Sequence, residues 1–240
     1  MPLSPPPAAD ELRGLPGITP AGDEVYRIYR PFAPDDVNQE HERSLWWFAS
    51  VPHGTSDDER EAYGRFDLTY PHGTCYFGRT LIGSVLEVFT NLENKTIVTD
   101  DITARKAVRV VWPSNGPAAA DLIAPRARGV GVTATFSAGG RRAETQAWGE
   151  ALFDAGWRAV HYAASHDNTL ESRSVALFDA HDEHIPRSVG GPWDYEVVDL
   201  TDNSDLYQAL GAFGISVEPK PTTLPVVSLE ESGLLDGEKC

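Results

Sequence analysis

Residues 63–91, YGRFDLTYPHGTCYFGRTLIGSVLEVFTN, constrain the fold more than any other part of the chain. The run reads as a strand carrying Arg65, a tight turn at His72-Gly73, a second strand carrying Tyr76, and a helix with Glu87 in its middle. An arginine, a tyrosine and a glutamate are thereby tied to adjacent elements, so the fold has to keep them close together. The helix is the best defined of these elements. Thr80 is a natural N-cap, and Leu81, Val85, Val88, Phe89 and Leu92 recur at helical spacing, with Ile82 and Leu86 widening the stripe. Glu87 falls on the other side, with Gly83 and Ser84 one turn before it and Thr90 and Asn91 one turn after. That face is small and polar, so a ligand or another strand can approach the carboxylate. On spacing alone, the solvent face of an ordinary amphipathic helix explains the same pattern.

The charge balance narrows the range of partners. Thirty-six acids against 20 Lys and Arg leave a formal charge of −16 over 240 residues. Such a surface repels phosphate backbones, so nucleic-acid binding is not expected, whereas arginines gathered in one place can still hold a small phosphorylated ligand. With 41% hydrophobic residues the chain can bury one substantial core, which predicts a single domain. Cys75 falls in an expected strand and Cys240 is the last residue, so no structural disulfide is expected and a reducing compartment is favoured. The N-terminal MPLSPPPAAD has neither a basic start nor an apolar run, and no segment approaches the roughly 18 apolar residues of a membrane span. The expectation is a soluble cytoplasmic protein without a membrane partner.

Taken in order, residues 1–22 are rich in Pro, Ala and Gly and read as a flexible tail, residues 23–218 as the domain, and residues 219–240 as a flexible acidic tail. Residues 24–32 alternate as a strand with Val25, Arg27 and Tyr29 on one face and Tyr26, Ile28 and Arg30 on the other. Residues 44–51 are an apolar strand whose two tryptophans belong in the core, and the acidic residues 56–63 form a solvated loop or helical turn. Residues 95–99 suit a short strand, residues 99–110 a helix stopped by Pro113, residues 114–131 a loop, and residues 132–136 a β-branched strand. A helix follows over 141–155 with Gly156 at C′, then strands over 157–167, 174–180 and 193–200, a helix over 203–213 and a short strand over 215–218. Ser165, His166 and Asp167 are consecutive, and neighbouring strand residues face opposite ways, so they do not make a hydrolytic triad. His181 and His184 offer two ligands and no third, so no metal site is expected.

G-R-F-D at residues 64–67, Tyr76 eleven residues after Arg65 within T-C-Y-F, and a short helix ending in L-E-V-F together resemble the RES-domain family, named for its arginine, glutamate and serine. The resemblance runs over residues 25–178. It implies an α+β fold, an ADP-ribosyltransferase-like mixed β-sheet core flanked by helices. It also implies an enzyme that consumes NAD+ as substrate, needs no separate cofactor, and typically acts as a toxin with a cognate antitoxin as partner. Association into a homo-oligomer is left open. The family serine ends a strand that precedes one closing in an L-F pair, which points to Ser165, with Ser172 and Ser174 competing.

The resemblance also distributes roles. Arg65, with Arg27 from the first strand, suits the NAD+ pyrophosphate through paired charge-assisted bonds; Arg30 is the alternative to Arg27. The cationic nicotinamide can stack on Tyr76 or Phe66. Glu87 stabilises the positive charge that builds on the ribose as the nicotinamide bond breaks, and Ser165 bonds the substrate near nicotinamide and positions the glutamate. Two departures stand out. In the first, Tyr63-Gly64 replaces the family's glycine pair, Phe66 keeps the ring of its Trp or Tyr without a polar handle, and Asp67, which replaces Asn, is expected to face the ribose, the arginine or solvent. Val85 holds the position where arginine-specific ADP-ribosyltransferases carry a second acid, so water or inorganic phosphate is the expected acceptor. Transfer of ADP-ribose to a protein target, and a non-catalytic nucleotide-binding or interaction module, are the alternatives.

Overall fold

The protein is described from a computed structural model covering residues 3–31, 45–89, 96–138, 140–164, 172–183 and 192–220. Its centre is an eight-stranded mixed sheet. In chain order the strands are β1 (Gly17–Ile18), β2 (Glu24–Tyr29), β3 (His72–Gly78), β4 (Lys106–Val111), β5 (Ala119–Asp121), β6 (Ala159–Ala163), β7 (Arg173–Ala180) and β8 (Asp194–Val198). They lie side by side as β1-β5-β6-β7-β3-β2-β4-β8, and every adjacent pair is antiparallel except β5–β6. The helices are α1 (Ala9–Arg13), α2 (Leu81–Val88), α3 (Thr99–Thr103), α4 (Thr135–Ala138), α5 (Arg142–Asp154) and α6 (Ser204–Ala212).

Strand alternation divides the buried side chains between the two faces of the sheet. On one face Ala176 and Phe178 of β7 and Val160 and Tyr162 of β6 pack with Phe66 and with Trp148 and Leu152 of α5. On the other, Val175 and Leu177 of β7 meet Cys75 and Phe77 of β3, Trp112 and Trp193. A third cluster joins Val85, Leu86 and Phe89 at α2 to Ile97, Ile102 and to Leu206 and Leu210 of α6. Local signals act as the sequence suggests at α2, where the Thr80 side chain accepts the Gly83 N–H, at α6, capped by Asn203 on the Leu206 N–H, and after α5, where Gly156 takes φ 101°.

Several segments depart from expectation, each because packing overrode a local signal. Residues 1–22 are not a tail over their described part: α1 and β1 lie within them, and Leu3, Leu12 and Leu15 are buried in the first core. The Trp157 Nε1–H donates to the Leu12 carbonyl at 2.9 Å and the Trp148 Nε1–H to the Ser4 carbonyl at 2.9 Å, which ties this segment to the domain. The helix expected over 99–110 ends at Thr103, and KAVRVV becomes β4 between β2 and β8. Ala107 faces the third core and Val108 and Val110 the second, so a strand with side chains buried on both faces, and β-branched ones on the second, outweighs the helical pattern. Residues 132–136 do not form a strand; Val132 and Phe136 are both buried at i, i+4 spacing and lead into α4. Of the two tryptophans assigned to the core, Trp46 is buried and Trp47 is exposed. Residues 221–240 lie outside the described residues, and within those described no helix is long and apolar enough to cross a membrane.

Because Leu12 is fully buried, Leu12→Ala is expected to lower unfolding stability by about 2–4 kcal/mol in chemical denaturation. An unchanged midpoint would restore the reading of residues 1–22 as a tail.

Candidate active site

Strands β3 and β7 are registered over seven residue pairs and β2 and β4 over six, but β2 meets β3 only at Tyr26 opposite Gly78. The sheet therefore opens at its middle. A cleft of about 330 Å³ occupies the opening, lined by Arg27 of β2, Gly64, Arg65, Tyr76 of β3, Ser84 and Glu87 of α2, and Arg142 of α5.

Register explains how Glu87 is held there. Tyr162, Ser174, Gly78 and Tyr26 form one row across β6, β7, β3 and β2. Gly78 contributes no side chain, and α2 drops into that gap: a Cβ at residue 78 would stand 2.4 Å from the Ser84 Oγ and 3.0 Å from its backbone nitrogen. The Ser84 hydroxyl sits within hydrogen-bond reach of the Tyr26 carbonyl at 2.9 Å and the Thr80 carbonyl at 3.0 Å. One turn later Glu87 reaches the two hydroxyls of the row. Ser174 Oγ–H donates to Oε2 at 3.0 Å and Tyr162 O–H donates to Oε1 at 3.1 Å, so each carboxylate oxygen has its own donor. Burial, and then the charge of Glu87, push the Tyr162 hydroxyl well above its ordinary pKa, which keeps it a proton donor at physiological pH.

Arg65 sits in a turn rather than the expected strand and is only 9% exposed. Its Nη1 donates to the Phe136 carbonyl. Burial first, and the Arg142 charge second, lower its pKa from the ordinary guanidinium value, while Tyr162, Glu87 and Tyr76 act in the opposite direction. The guanidinium stays charged. The turn itself is built around Asp67. Its Oδ2 accepts the Gly64 N–H at 2.7 Å, its Oδ1 accepts the Tyr76 hydroxyl at 2.8 Å, and that hydroxyl accepts the Phe66 N–H at 2.7 Å. Gly64 is required by the crowding: a Cβ there would come within 2.5 Å of Asp67 Oδ1 and 2.6 Å of the Tyr76 hydroxyl. Asp67 does not face solvent, and its hydrogen bonds go to Gly64 and Tyr76 rather than to Arg65; it is a buried acceptor that fixes Tyr76.

The remaining expected residues separate clearly. Arg27 lines the cleft, with Nη1 2.6 Å from Cys75 Sγ, Nη2 donating to the Trp47 carbonyl at 3.2 Å, and a buried Nε without an acceptor among the described residues. Arg30 pairs with Asp101 at 3.3 Å outside the cleft. Phe66 cannot offer a ring face to a ligand, contrary to expectation. It is fully buried, with its ring edge-on to Tyr162 at 5.0 Å, and contributes through its backbone N–H. Ser165 and His184 lie outside the described residues; the serine seen on Glu87 is Ser174. Tyr162 and Arg142 were not anticipated. Tyr162 reads as one more apolar residue of a buried strand, and Arg142 as a surface cation at a helix start, where the helix dipole gives it no local reason to be.

Burial raises the Asp67 pKa above 3.8, against the pull of its Gly64 and Tyr76 hydrogen bonds. A carboxyl with a raised folded pKa stabilises the fold below its unfolded pKa, and that contribution is lost as pH rises through the folded value. Asn retains an acceptor oxygen without the charge. Asp67→Asn should therefore gain stability relative to wild type as pH rises from about 4 to neutrality, measured by thermal melting across that range; a pH-independent difference would contradict the assignment.

Chemically, among the described residues three guanidiniums and a single clamped carboxylate share a cleft with the ring of Tyr76, in a chain of charge −16. Such a site suits a ligand that carries phosphate anions and develops positive charge at one point. No curated protein matches the chain. Among solved structures, a chain of the M. tuberculosis MbcT–MbcA toxin–antitoxin complex is similar, with a TM-score of 0.53 at 18% identity, covering 85% of this chain and 96% of that one. At that identity the likeness is one of fold: a large mixed sheet flanked by helices in a single domain. The model of the RES domain matches residues 27–197, from Arg27 on β2 to Val197 on β8, and the chain belongs to the RES-domain family.

Proposed function

We propose that this protein cleaves NAD+ at the nicotinamide–ribose bond, passing the ADP-ribosyl group to water or inorganic phosphate, and that it acts as a toxin restrained by a cognate antitoxin. The observation that carries the reading is Glu87, a carboxylate fixed through both oxygens in a cleft whose other charged residues, among those described, are Arg27, Arg65 and Arg142. Membership of the RES family supports NAD+ as the substrate, and the likeness to a chain from a toxin–antitoxin complex supports the antitoxin. A substrate from the cellular NAD+ pool and a reduced Cys75 fit a cytoplasmic location.

In this reading the pyrophosphate lies against Arg65, with Arg27 and Arg142 neutralising its second charge, and the nicotinamide stacks on the Tyr76 ring, which the Asp67 and Phe66 hydrogen bonds hold still. As the C1′–N bond breaks, its electron pair leaves with neutral nicotinamide and positive charge spreads over C1′ and the ring oxygen. Glu87 faces that charge and lowers the barrier because its orientation is fixed before the reaction begins. An oxygen of water or phosphate then bonds to C1′, giving ADP-ribose, with loss of the water proton, or ADP-ribose-1″-phosphate. Ser174 and Tyr162 act as positioning residues, and Ser165 is assigned the hydrogen bond on the nicotinamide side. Transfer to a protein side chain is less well served: Val85, two residues before Glu87, is turned into the third core, so no second carboxylate stands beside Glu87 on α2 to activate an acceptor.

The purified protein is expected to release nicotinamide from NAD+, and Glu87→Gln to slow that release by roughly 10²–10⁴. Chromatography of the second product, with and without phosphate, identifies the acceptor. NAD+ binding without turnover in the wild type would favour the non-catalytic module, and label appearing on a protein would favour transfer. Tyr162→Phe and Ser174→Ala should each lower kcat roughly 10- to 100-fold with KM nearly unchanged, since they loosen the carboxylate rather than the phosphate contacts; a rise in KM alone would remove them from this role.

A further inference from the structure

A second cavity has a volume of about 920 Å³. Two of its lining residues also bond residues of the cleft. Tyr162 lines the cavity while its hydroxyl holds Glu87, and Phe136 lines it while its carbonyl accepts from Arg65. Much of the wall is apolar, including Leu122 and Val132, and its charged members among the described residues are Arg128 and Arg173. Among the described residues, Arg173 donates to the neighbouring Ser172 carbonyl, at 3.3 Å. Neither arginine has a carboxylate partner among the described residues, as is also true of Arg60, Arg126 and Arg158; what sets these two apart is that both line the same concavity. In a chain with 36 acids and 20 bases, two guanidiniums without a carboxylate among the described residues, at one mostly apolar concavity, suit an anion.

We propose that this cavity is a binding site, separate from the dinucleotide cleft, for a small amphiphilic anion: an apolar or aromatic body bearing one phosphate, sulfonate or carboxylate group. The walls formed by Leu122, Val132, Phe136 and Tyr162 remove the body from water, and the forked guanidiniums of Arg128 and Arg173 receive the anionic group. A simple inorganic ion leaves the apolar wall uncovered, and a neutral apolar molecule leaves both charges uncompensated. The site goes beyond NAD+ cleavage and does not depend on it. Its occupant touches Tyr162, the residue that holds Glu87, so ligand binding there is felt at the cleft.

The test is a fluorescence titration of the full chain with 1-anilinonaphthalene-8-sulfonate, an aromatic sulfonate that brightens in apolar surroundings. One saturable site is expected, weakened about tenfold by Arg128→Gln and by Arg173→Gln, as for the loss of one charge-assisted contact. Arg27→Gln, at a residue that lines the cleft and not this cavity, is expected to leave the affinity unchanged. Arg128 lies exposed in the 3-10 turn Pro125–Val130, so its replacement does not endanger the fold and keeps the comparison sound if Arg173→Gln fails to fold. Absence of a saturable site, indifference of the affinity to Arg128→Gln, or its loss in Arg27→Gln would each overturn the proposal.

Discussion

Between β2 and β3 the sheet is held at one registered pair, Tyr26 opposite Gly78, and that sparse joint is where the architecture turns into a site. A continuous ladder would have closed the middle of the sheet and left no cleft. The same row admits α2, because Gly78 has no side chain to exclude Ser84, and α2 then carries Glu87 over the hydroxyls of Ser174 and Tyr162. Position of the carboxylate thus follows from a missing side chain and a missing ladder.

Charge works against the grain of the whole protein here. The surface is strongly acidic, yet Arg27, Arg65 and Arg142 converge on the cleft, and Arg65 is almost wholly buried. Desolvation lowers the Arg65 pKa, but from a starting value so high that the group remains a cation, so the cost of burial falls on stability rather than on charge. Asp67 shows the opposite logic. Its burial raises the pKa, and its role is to accept hydrogen bonds that hold the Gly64 turn and the Tyr76 ring, so the aspartate at that position is structural support for the aromatic wall.

Much of the site was legible because it is local. Arg65, Tyr76 and Glu87 lie within a short run of chain, the Thr80 cap and the helical spacing of Val85, Leu86 and Phe89 define α2, and period two separates Arg27 from Arg30. Where local signals competed with packing they failed. KAVRVV has some helical character, yet a place between two strands made it β4; Val132 and Phe136 look like a strand, yet one buried face made them a turn and short helix.

The sequence by itself determined the elements with their own caps and periods, the charge that disfavours nucleic acid, and the three motif residues that mark the family. Tertiary structure alone decided which serine among the described residues meets Glu87, that Tyr162 is its second donor, that Arg142 joins the cleft from a helix far along the chain, and that Phe66 is core rather than ligand platform. The division has one physical cause. Caps and periodicity act within a few residues, whereas strand register and helix docking join residues some 75 to 87 positions apart, as between Glu87 and its two donors, and are fixed only when the whole sheet assembles.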